Sequence, residues 1–359
     1  MNASASQYIE QELVISKATS HPDNSSYTYL PGHKLQLSSG EVVCNTITTD
    51  FLGFGEEATS TGAISRVMGN YYCGTSNSLY QLQESLSHFL QTEDTLVLGS
   101  YEGLCADIME SLLNTEDAVI YDSAISVPMR RGIKSCQAEK MRYPHGDMEK
   151  LEQNLQLTLL KRLRVIVTDG IFYDSGQCAN LQAIRQLASQ YDALVIIDDS
   201  FGFLTAGKNG RGADELCGVK GFQDLKIVNM QHALGCNTGV FASGDKNLIQ
   251  LLRLRSRCCR HTLTPSENDI ANAQKVIDTI SADTSRIALM HQKAQQLCEI
   301  LRNAGYDCEK PAAGIVSFVT DASADKTKDA LRQLGLVGQY SKVGRLTLVS
   351  IKVSTLCDF

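Results

Sequence analysis

Five short apolar runs in the middle of the chain constrain its fold more than any other feature. Each run has the length and β-branched character of a buried strand, and helical stretches separate several of them. The runs are Thr95–Leu98, Asp117–Tyr121, Arg164–Thr168, Ala193–Ile197 and Ile227–Met230. Leu79–Leu90, which precedes the first run, is apolar at helical spacing. This alternation predicts an α/β fold in which helices cover both faces of a mostly parallel sheet.

The same patterns divide the chain into three predicted parts. Residues 1–50 are interpreted as an N-terminal arm that ends in a hairpin at Ser39-Gly40, and residues 51–262 as a large domain. Residues 263–359 are interpreted as a long connecting helix, about Ser266 to Ala304, and a small C-terminal α/β domain. A chain of 359 residues is long enough for one large core and one smaller core.

The composition argues against several classes of protein. With 43% hydrophobic and 20% charged residues the chain is typical of a globular domain, and a net charge of -7 without a dense Lys/Arg run does not indicate a nucleic-acid surface. No window approaches the roughly 18 apolar residues of a membrane helix. The N-terminus lacks the basic and apolar regions of a signal peptide. We therefore expect a cytoplasmic protein, at most peripheral at the endoplasmic reticulum membrane.

The cysteines do not indicate a metal site. The chain has 12 of them, but no Cys-x-x-Cys pair, and Cys258 and Cys259 are adjacent. That arrangement suits neither a zinc site nor an ordinary disulfide. We interpret them as reduced thiols of an intracellular protein, because disulfides rarely persist in reducing compartments.

Four motifs follow one another in a fixed order. Tyr72–Thr75 (YCGT) leads into the amphipathic stretch that ends at Leu90, and His145–Glu152 reads HGDMEKLE. Val167–Gly176 reads VTDGIFYDSG, and Ile197–Gly212 reads IDDSFGFLTAGKNGRG, in which an aspartate ends a strand and Gly-x-x-Gly-Arg-Gly follows. Each motif alone is weak. Together, over roughly residues 35–355, they resemble the α-oxoamine synthase family of pyridoxal-phosphate (PLP) enzymes.

The resemblance implies a fold, a reaction and an assembly. The fold is the PLP-dependent transferase fold type I, with a mixed, mostly parallel seven-strand sheet in a large domain and a small C-terminal α/β domain. Members condense an amino acid with an acyl-CoA and release CO2, and they build their active sites across a dimer interface. Asp198 maps to the aspartate that pairs with the pyridine nitrogen and keeps the PLP ring protonated, so that the ring accepts electrons.

Four positions depart from the cofactor and substrate site that the resemblance implies. His232 stands where the family has its Schiff-base lysine, and imidazole cannot form an imine with an aldehyde. Phe201 replaces a histidine that contacts the phenolic oxygen of PLP, and Ser126 replaces a histidine that stacks on its ring. The arginine that clamps a substrate carboxylate falls near Thr347, and Arg345 lies two positions away on the same strand face. The lysines nearest to the turn, Lys226 and Lys246, are interpreted as solvated surface residues.

Three functional hypotheses stay open at this point. Within the family the pattern is most similar to the lysine-less, non-catalytic subunit of eukaryotic serine palmitoyltransferase, which implies a pseudoenzyme paired with a lysine-bearing paralogue. PLP is then expected in the partner or at a shared site, for condensation of L-serine with a long-chain acyl-CoA to 3-ketosphinganine in sphingolipid synthesis. The second hypothesis is an enzyme that uses PLP or pyridoxamine phosphate without a lysine, with His232 as its base. The third is a homodimeric scaffold without a reaction.

Overall fold

The structure is a computed structural model that describes residues 27–30, 34–37, 40–44, 51–52, 76–219, 224–262, 264–343 and 346–357. Its strands in chain order are β1 (Tyr27–Leu30), β2 (Lys34–Leu37), β3 (Val42–Cys44), β4 (Asp94–Leu98), β5 (Ala118–Asp122), β6 (Glu139–Tyr143), β7 (Arg164–Asp169), β8 (Leu194–Asp198), β9 (Leu225–Asn229), β10 (Val240–Gly244), β11 (Ile315–Thr320), β12 (Gln339–Val343) and β13 (Leu346–Lys352).

The helices are α1 (Asn77–Leu90), α2 (Tyr101–Leu112), α3 (Val127–Ser135), α4 (Met148–Leu157), α5 (Leu181–Gln190), α6 (Ala213–Leu216), α7 (Lys246–Arg255), α8 (Arg257–His261), α9 (Glu267–Ala282), α10 (Ser285–Asn303) and α11 (Ala324–Gln333). The motif at Tyr72–Thr75 and the predicted substrate residue Arg345 lie outside the described residues.

The largest sheet has seven strands in the order β4-β10-β9-β8-β7-β5-β6. Neighbours from β9 to β6 are parallel, whereas β10 is antiparallel to both β9 and β4. The predicted mixed, mostly parallel seven-strand sheet is therefore confirmed. The five apolar runs correspond to β4, β5, β7, β8 and β9 and include neither β10 nor β6. The edge strand β6 carries the exposed residues Glu139, Lys140 and Arg142 and so forms no apolar run.

Helices cover both faces of this sheet, and the side chains of each face belong to a separate apolar cluster. Along β7, Ile166 belongs to one cluster while its neighbours Val165 and Val167 belong to the other. Along β8 the same alternation places Ile197 and Ile196 in different clusters. Successive side chains of a strand point to opposite faces, and both faces here are dry, so the strand sequences are apolar throughout.

The predicted connecting helix is two helices rather than one. The single helix predicted over about Ser266 to Ala304 is wrong, because α9 ends at Ala282 and α10 begins at Ser285. Asp283 between them is extended (φ -149°, ψ 116°), and its carboxylate accepts bonds from the amide and the hydroxyl of Ser285, both at 2.8 Å. Aspartate side chains that bond the nearby backbone in this way compete with helix continuation.

Two smaller antiparallel sheets lie at the ends of the described chain. The predicted hairpin is confirmed: β2 pairs with β3 around Gly40, whose φ of 84° favours glycine, and β1 adds to β2. The C-terminal sheet has the order β11-β13-β12. The Cys44 amide donates to the Gly335 carbonyl at 3.2 Å, so the N-terminal sheet contacts the C-terminal region. The domain limits at 50 and 262 remain predictions. Among the described residues, no helix combines the length and hydropathy needed to cross a bilayer.

Candidate functional site

The candidate site lies where the parallel strands of the large sheet end. Asp122, Asp169, Asp198 and Asn229 are the last residues of β5, β7, β8 and β9. In open α/β sheets, ligands bind outside the carboxyl ends of the strands. The predicted residue Asp198 is thus at the expected edge, and it is 3% exposed.

Three hydroxyl groups bond the carboxylate of Asp198. Its Oδ2 accepts a bond from Ser126 Oγ at 2.9 Å and another from the hydroxyl of Tyr101. Its Oδ1 accepts a bond from Ser200 Oγ at 2.5 Å and one from the Ser200 amide at 3.2 Å. Burial, followed by the charge of Asp198, raises the pKa of Tyr101 well above its ordinary value, so its phenol stays protonated and donates. Asp198 therefore has hydrogen-bond donors on both oxygens from the chain itself.

A second buried carboxyl group, which the sequence analysis missed, lies beside the first. Asp169 is the strand neighbour of Asp198 in the β7–β8 pairing, and its Oδ1 accepts from the Ser126 amide at 3.2 Å. Burial first, then the nearby charge of Asp198, raises the pKa of Asp169 well above its ordinary value. The protonated form of Asp169 is therefore favoured, and Ser126 contacts both Asp169 and Asp198. The sequence did carry a signal for Asp169, namely its position in VTDG at the end of an apolar strand.

The aromatic rings of Phe201 and His232 stack on each other. Their ring centroids are 4.5 Å apart with an interplanar angle of 29°, and the ring of Tyr173 lies 4.8 Å from Phe201. Burial, together with the charge of Lys352, lowers the pKa of His232 to about 4. His232 is therefore neutral at pH 7 and a weak proton acceptor.

Ser200 connects the two halves of the predicted site. Its hydroxyl donates to Asp198 and accepts from the Asn229 amide at 2.9 Å. Phe201 follows it directly, and Asn229 begins the turn that carries His232. The structure thus places Ser126 on Asp198 and Phe201 on His232, with Ser200 between the two pairs.

A buried lysine that the sequence analysis missed completes this cluster. Lys352 ends β13 and is 1% exposed, and its Nζ donates to Gln339 Oε1 at 2.9 Å and to Ser350 Oγ at 3.0 Å. The same Nζ lies 4.1 Å from the ring centroid of Tyr173. Burial lowers the pKa of Lys352 to about 8, although the charge of Asp174 opposes the shift.

The interpretation of Lys226 as a solvated lysine is wrong. Its side chain is 0% exposed, and its Nζ contacts Asp199 Oδ2 at 2.8 Å, Asp214 Oδ1 at 2.6 Å and the Arg211 carbonyl at 2.6 Å. It lies in the interior strand β9, which is covered on both faces, so its charge needs buried partners. Lys246, in contrast, is exposed as predicted.

The predicted carboxylate clamp, Arg345, lies outside the described residues and stays a prediction. Thr347, where the sequence comparison placed the carboxylate clamp, is 8% exposed, and its hydroxyl donates to the Ala322 carbonyl at 3.1 Å. That hydroxyl is therefore engaged within the C-terminal region.

These residues do not fit a PLP held as a Schiff base at position 232. Residue 232 is an imidazole, and Phe201 stacks on it. The carboxylate of Asp198, which the resemblance assigns to the pyridine nitrogen, has both oxygens bonded by hydroxyl groups of the chain. The hydroxyl of Ser126 is directed to that carboxylate and covers no ring.

Comparison with known proteins agrees with the geometry of the fold. The family model for class I and II aminotransferases matches residues 59–344. The 2-amino-3-ketobutyrate coenzyme A ligase of Escherichia coli (strain K12) is 31% identical over 283 residues, which are 76% of this chain and 71% of the ligase. The 8-amino-7-oxononanoate synthase of Thermosipho melanesiensis is 26% identical over 326 residues, 86% of this chain and 83% of the synthase. The solved serine palmitoyltransferase of Sphingomonas wittichii superposes with a TM-score of 0.83 at 19% identity, covering 97% of this chain and 92% of that one.

Proposed function

We propose that this chain, which belongs to the α-oxoamine synthases of the class I and II aminotransferase family, is a non-catalytic subunit that pairs with a lysine-bearing paralogue. The proposal rests on one observation: the Schiff-base position holds His232, whose ring is stacked on Phe201. The partner would hold PLP and condense L-serine with a long-chain acyl-CoA, as in a serine palmitoyltransferase of sphingolipid synthesis. This chain would stabilise the partner and complete the dimer.

The local chemistry favours loss of covalent catalysis in this chain. Imine formation needs an unprotonated amine that can reach the carbonyl group. The only described lysine of the cluster, Lys352, lies beneath Tyr173 with its amine bonded to Gln339 and Ser350. His232 offers no such amine, and three hydroxyl groups already bond Asp198.

The scaffold for subunit pairing is retained. The seven-strand sheet is complete in the described residues, and the buried ion network around Lys226 is fully paired. Active sites of the family lie across a dimer interface, so a partner that keeps its lysine needs a folded neighbour even if that neighbour catalyses nothing. This supports a heterodimer more than a homodimeric scaffold.

The alternative of a lysine-independent enzyme with His232 as its base has a specific weakness. A general base works best when its pKa lies near the working pH. Burial and Lys352 lower the pKa of His232 to about 4, far below that range. A PLP absorption band in the purified chain, lost in His232→Ala, would favour this alternative.

Activity of the reconstituted pair tests the proposal. The chain is co-expressed with the lysine-bearing paralogue of its source, and release of free CoA from a long-chain acyl-CoA is followed with and without L-serine. His232→Ala should leave this activity within about twofold of the parent, while replacement of the paralogue's lysine should abolish it. His232→Lys alone should not make the isolated chain active, because Phe201 and Ser126 remain. Loss of activity in His232→Ala with an intact complex would refute the proposal.

A further inference from the structure

Two cysteines from distant parts of the sequence meet at one side of the candidate site. Cys178 follows β7 and forms an isolated bridge with Ile171, while Cys217 ends α6. Their sulfur atoms are 3.4 Å apart, and both side chains are half-buried. A disulfide has an S–S length of about 2.05 Å, so the two sulfurs need to approach by only about 1.4 Å.

The two thiols have different acidities. The thiol of Cys178 and the Leu181 amide at the start of α5 both bond the sulfur of Cys217 and lower its pKa to about 7, against the effect of burial. The bond to Cys217 and burial raise the pKa of Cys178 well above its ordinary value. The charges of Asp199 and Asp214 raise both pKa values. Cys217 is therefore the more acidic thiol of the pair and the one that forms the thiolate more readily.

Five other described cysteines have raised rather than lowered pKa values. Burial raises the pKa of Cys105, Cys236, Cys258, Cys259 and Cys308. A buried thiol that is held neutral reacts slowly, because the thiolate is the nucleophile. The adjacent pair Cys258 and Cys259 thus provides an internal reference in the same molecule.

We propose that Cys178 and Cys217 are a reversible dithiol–disulfide site that a hydroperoxide oxidises. The Cys217 thiolate attacks a peroxide oxygen and becomes a sulfenic acid while hydroxide leaves. The sulfur of Cys178 then attacks the sulfenic sulfur, the S–S bond forms, and the S–OH oxygen leaves as water with the proton of Cys178. Two electrons pass from the two sulfurs to one hydrogen peroxide, which gives one water and one hydroxide. The hydroxide becomes the second water by taking up a proton equal to the one that the Cys217 thiol released when it ionised.

The bond would join two segments that carry the aromatic side chains of the candidate site. The segment after β7 carries Tyr173 and Cys178, and the segment after β8 carries Phe201 and reaches Cys217. Tyr173 and Phe201 already touch, with ring centroids 4.8 Å apart. A disulfide would therefore fix this aromatic contact, whatever reaction the partner subunit performs.

Peptide mapping of the folded full chain tests the site. The protein is treated with hydrogen peroxide, alkylated without reductant and digested with trypsin. The expected product links peptide 165–185, which holds Cys178, to peptide 212–220, which holds Cys217, and dithiothreitol reverses it. The melting temperature should rise by an amount on the order of 5 °C, because the bond closes a long loop.

Two variants assign the roles of the sulfurs. Cys178→Ser should leave Cys217 as a sulfenic acid that dimedone traps, whereas Cys217→Ser should give no linkage and no dimedone adduct at Cys178. Cys258 should stay available for alkylation throughout. The proposal is refuted if folded wild-type protein yields no linked peptide, or if Cys258 is oxidised as fast as Cys217.

Discussion

Replacing Lys352 with methionine should stabilise the protein near neutral pH. The amine is buried among neutral hydrogen-bond acceptors, and its pKa is lowered from 10.5 to about 8. At 1.36 kcal/mol for each pKa unit, a charged Lys352 costs about 3 kcal/mol. Methionine keeps the length of the side chain but leaves Gln339 Oε1 without its donor. The lost hydrogen bond reduces the gain in stability by about 1 kcal/mol. The free energy of unfolding should therefore rise by about 2 kcal/mol.

The gain should depend on pH in a defined direction. The folded pKa lies below the unfolded value, so the cost of the charge is fully present below about pH 8. As the pH rises from there towards 10.5, the folded amine is already neutral while the unfolded amine still binds a proton, and the parent gains stability. The difference between Lys352→Met and the parent should shrink over that window.

Lys226→Met is the matched control, because it removes the same charge from an equally buried site. Lys226 contacts Asp199 and Asp214, and its pKa is raised rather than lowered, since these partners outweigh the cost of burial. Removing the amine would leave two buried carboxylates without their cation. Breaking a buried ion pair in this way typically costs about 3–5 kcal/mol. The two lysine variants should thus change stability in opposite directions.

Urea denaturation followed by far-UV circular dichroism measures both variants; the chain contains no tryptophan, so fluorescence is the weaker probe. Unfolding curves at pH 7 and pH 9.5 give the two free energies and their change. A loss of 1 kcal/mol or more in Lys352→Met at pH 7 would refute the reasoning, because it would mean that an anion neutralises Lys352 in the folded protein.

Four further substitutions test separate parts of the structure. Asp122→Asn should lower the melting temperature at pH 5.5 more than at pH 9. Asp122 raises the pKa of His145, so the stabilisation from this pair is present while His145 is protonated and is lost as the pH rises through the His145 pKa. A series of melting curves at different pH values checks this. Gly212→Ala should cost on the order of 3 kcal/mol in urea unfolding, since its φ is 114° and a Cβ would lie 1.8 Å from a buried carboxylate oxygen. Gly218→Ala, with φ 67° and open space around it, should cost only about 1 kcal/mol. Tyr101→Phe should cost about 1–3 kcal/mol by the same measurement, because a buried carboxylate loses a donor.

Sequence patterns predicted the fold wherever the pattern follows from burial on a regular element. The apolar runs indicated five strands of the large sheet, since strands that are dry on both faces must be apolar throughout. The edge strand β6 and the break at Asp283 were missed. The first lacks an apolar run, and the second depends on a side chain that bonds the backbone of Ser285. Neither feature changes the periodicity on which the predictions rested.

The candidate site was predictable only where the residues come from adjacent strand ends. Asp198 ends β8, Phe201 follows it closely, and His232 lies in the turn after β9. The parallel pairing of β8 with β9 brings these strand ends to one edge of the sheet. Lys352 comes from the C-terminal sheet, and its approach to Tyr173 depends on how that sheet packs against the segment after β7. No local pattern around Lys352 encodes this contact.

The fourth motif, which ends at Gly212, is explained in part by packing rather than by catalysis. Gly212 must lack a side chain because the carboxylate of Asp199 lies against it. Asp199 in turn forms an ion pair with Lys226 in the interior strand β9. Arg211 adds its carbonyl to the same amine. This part of Gly-x-x-Gly-Arg-Gly therefore serves a buried ion network that a folded subunit needs whether or not it holds a cofactor. The resemblance at this motif supports the fold. The Schiff-base position, which holds His232, bears on the chemistry, and for that reason we propose that the covalent step takes place in a partner subunit.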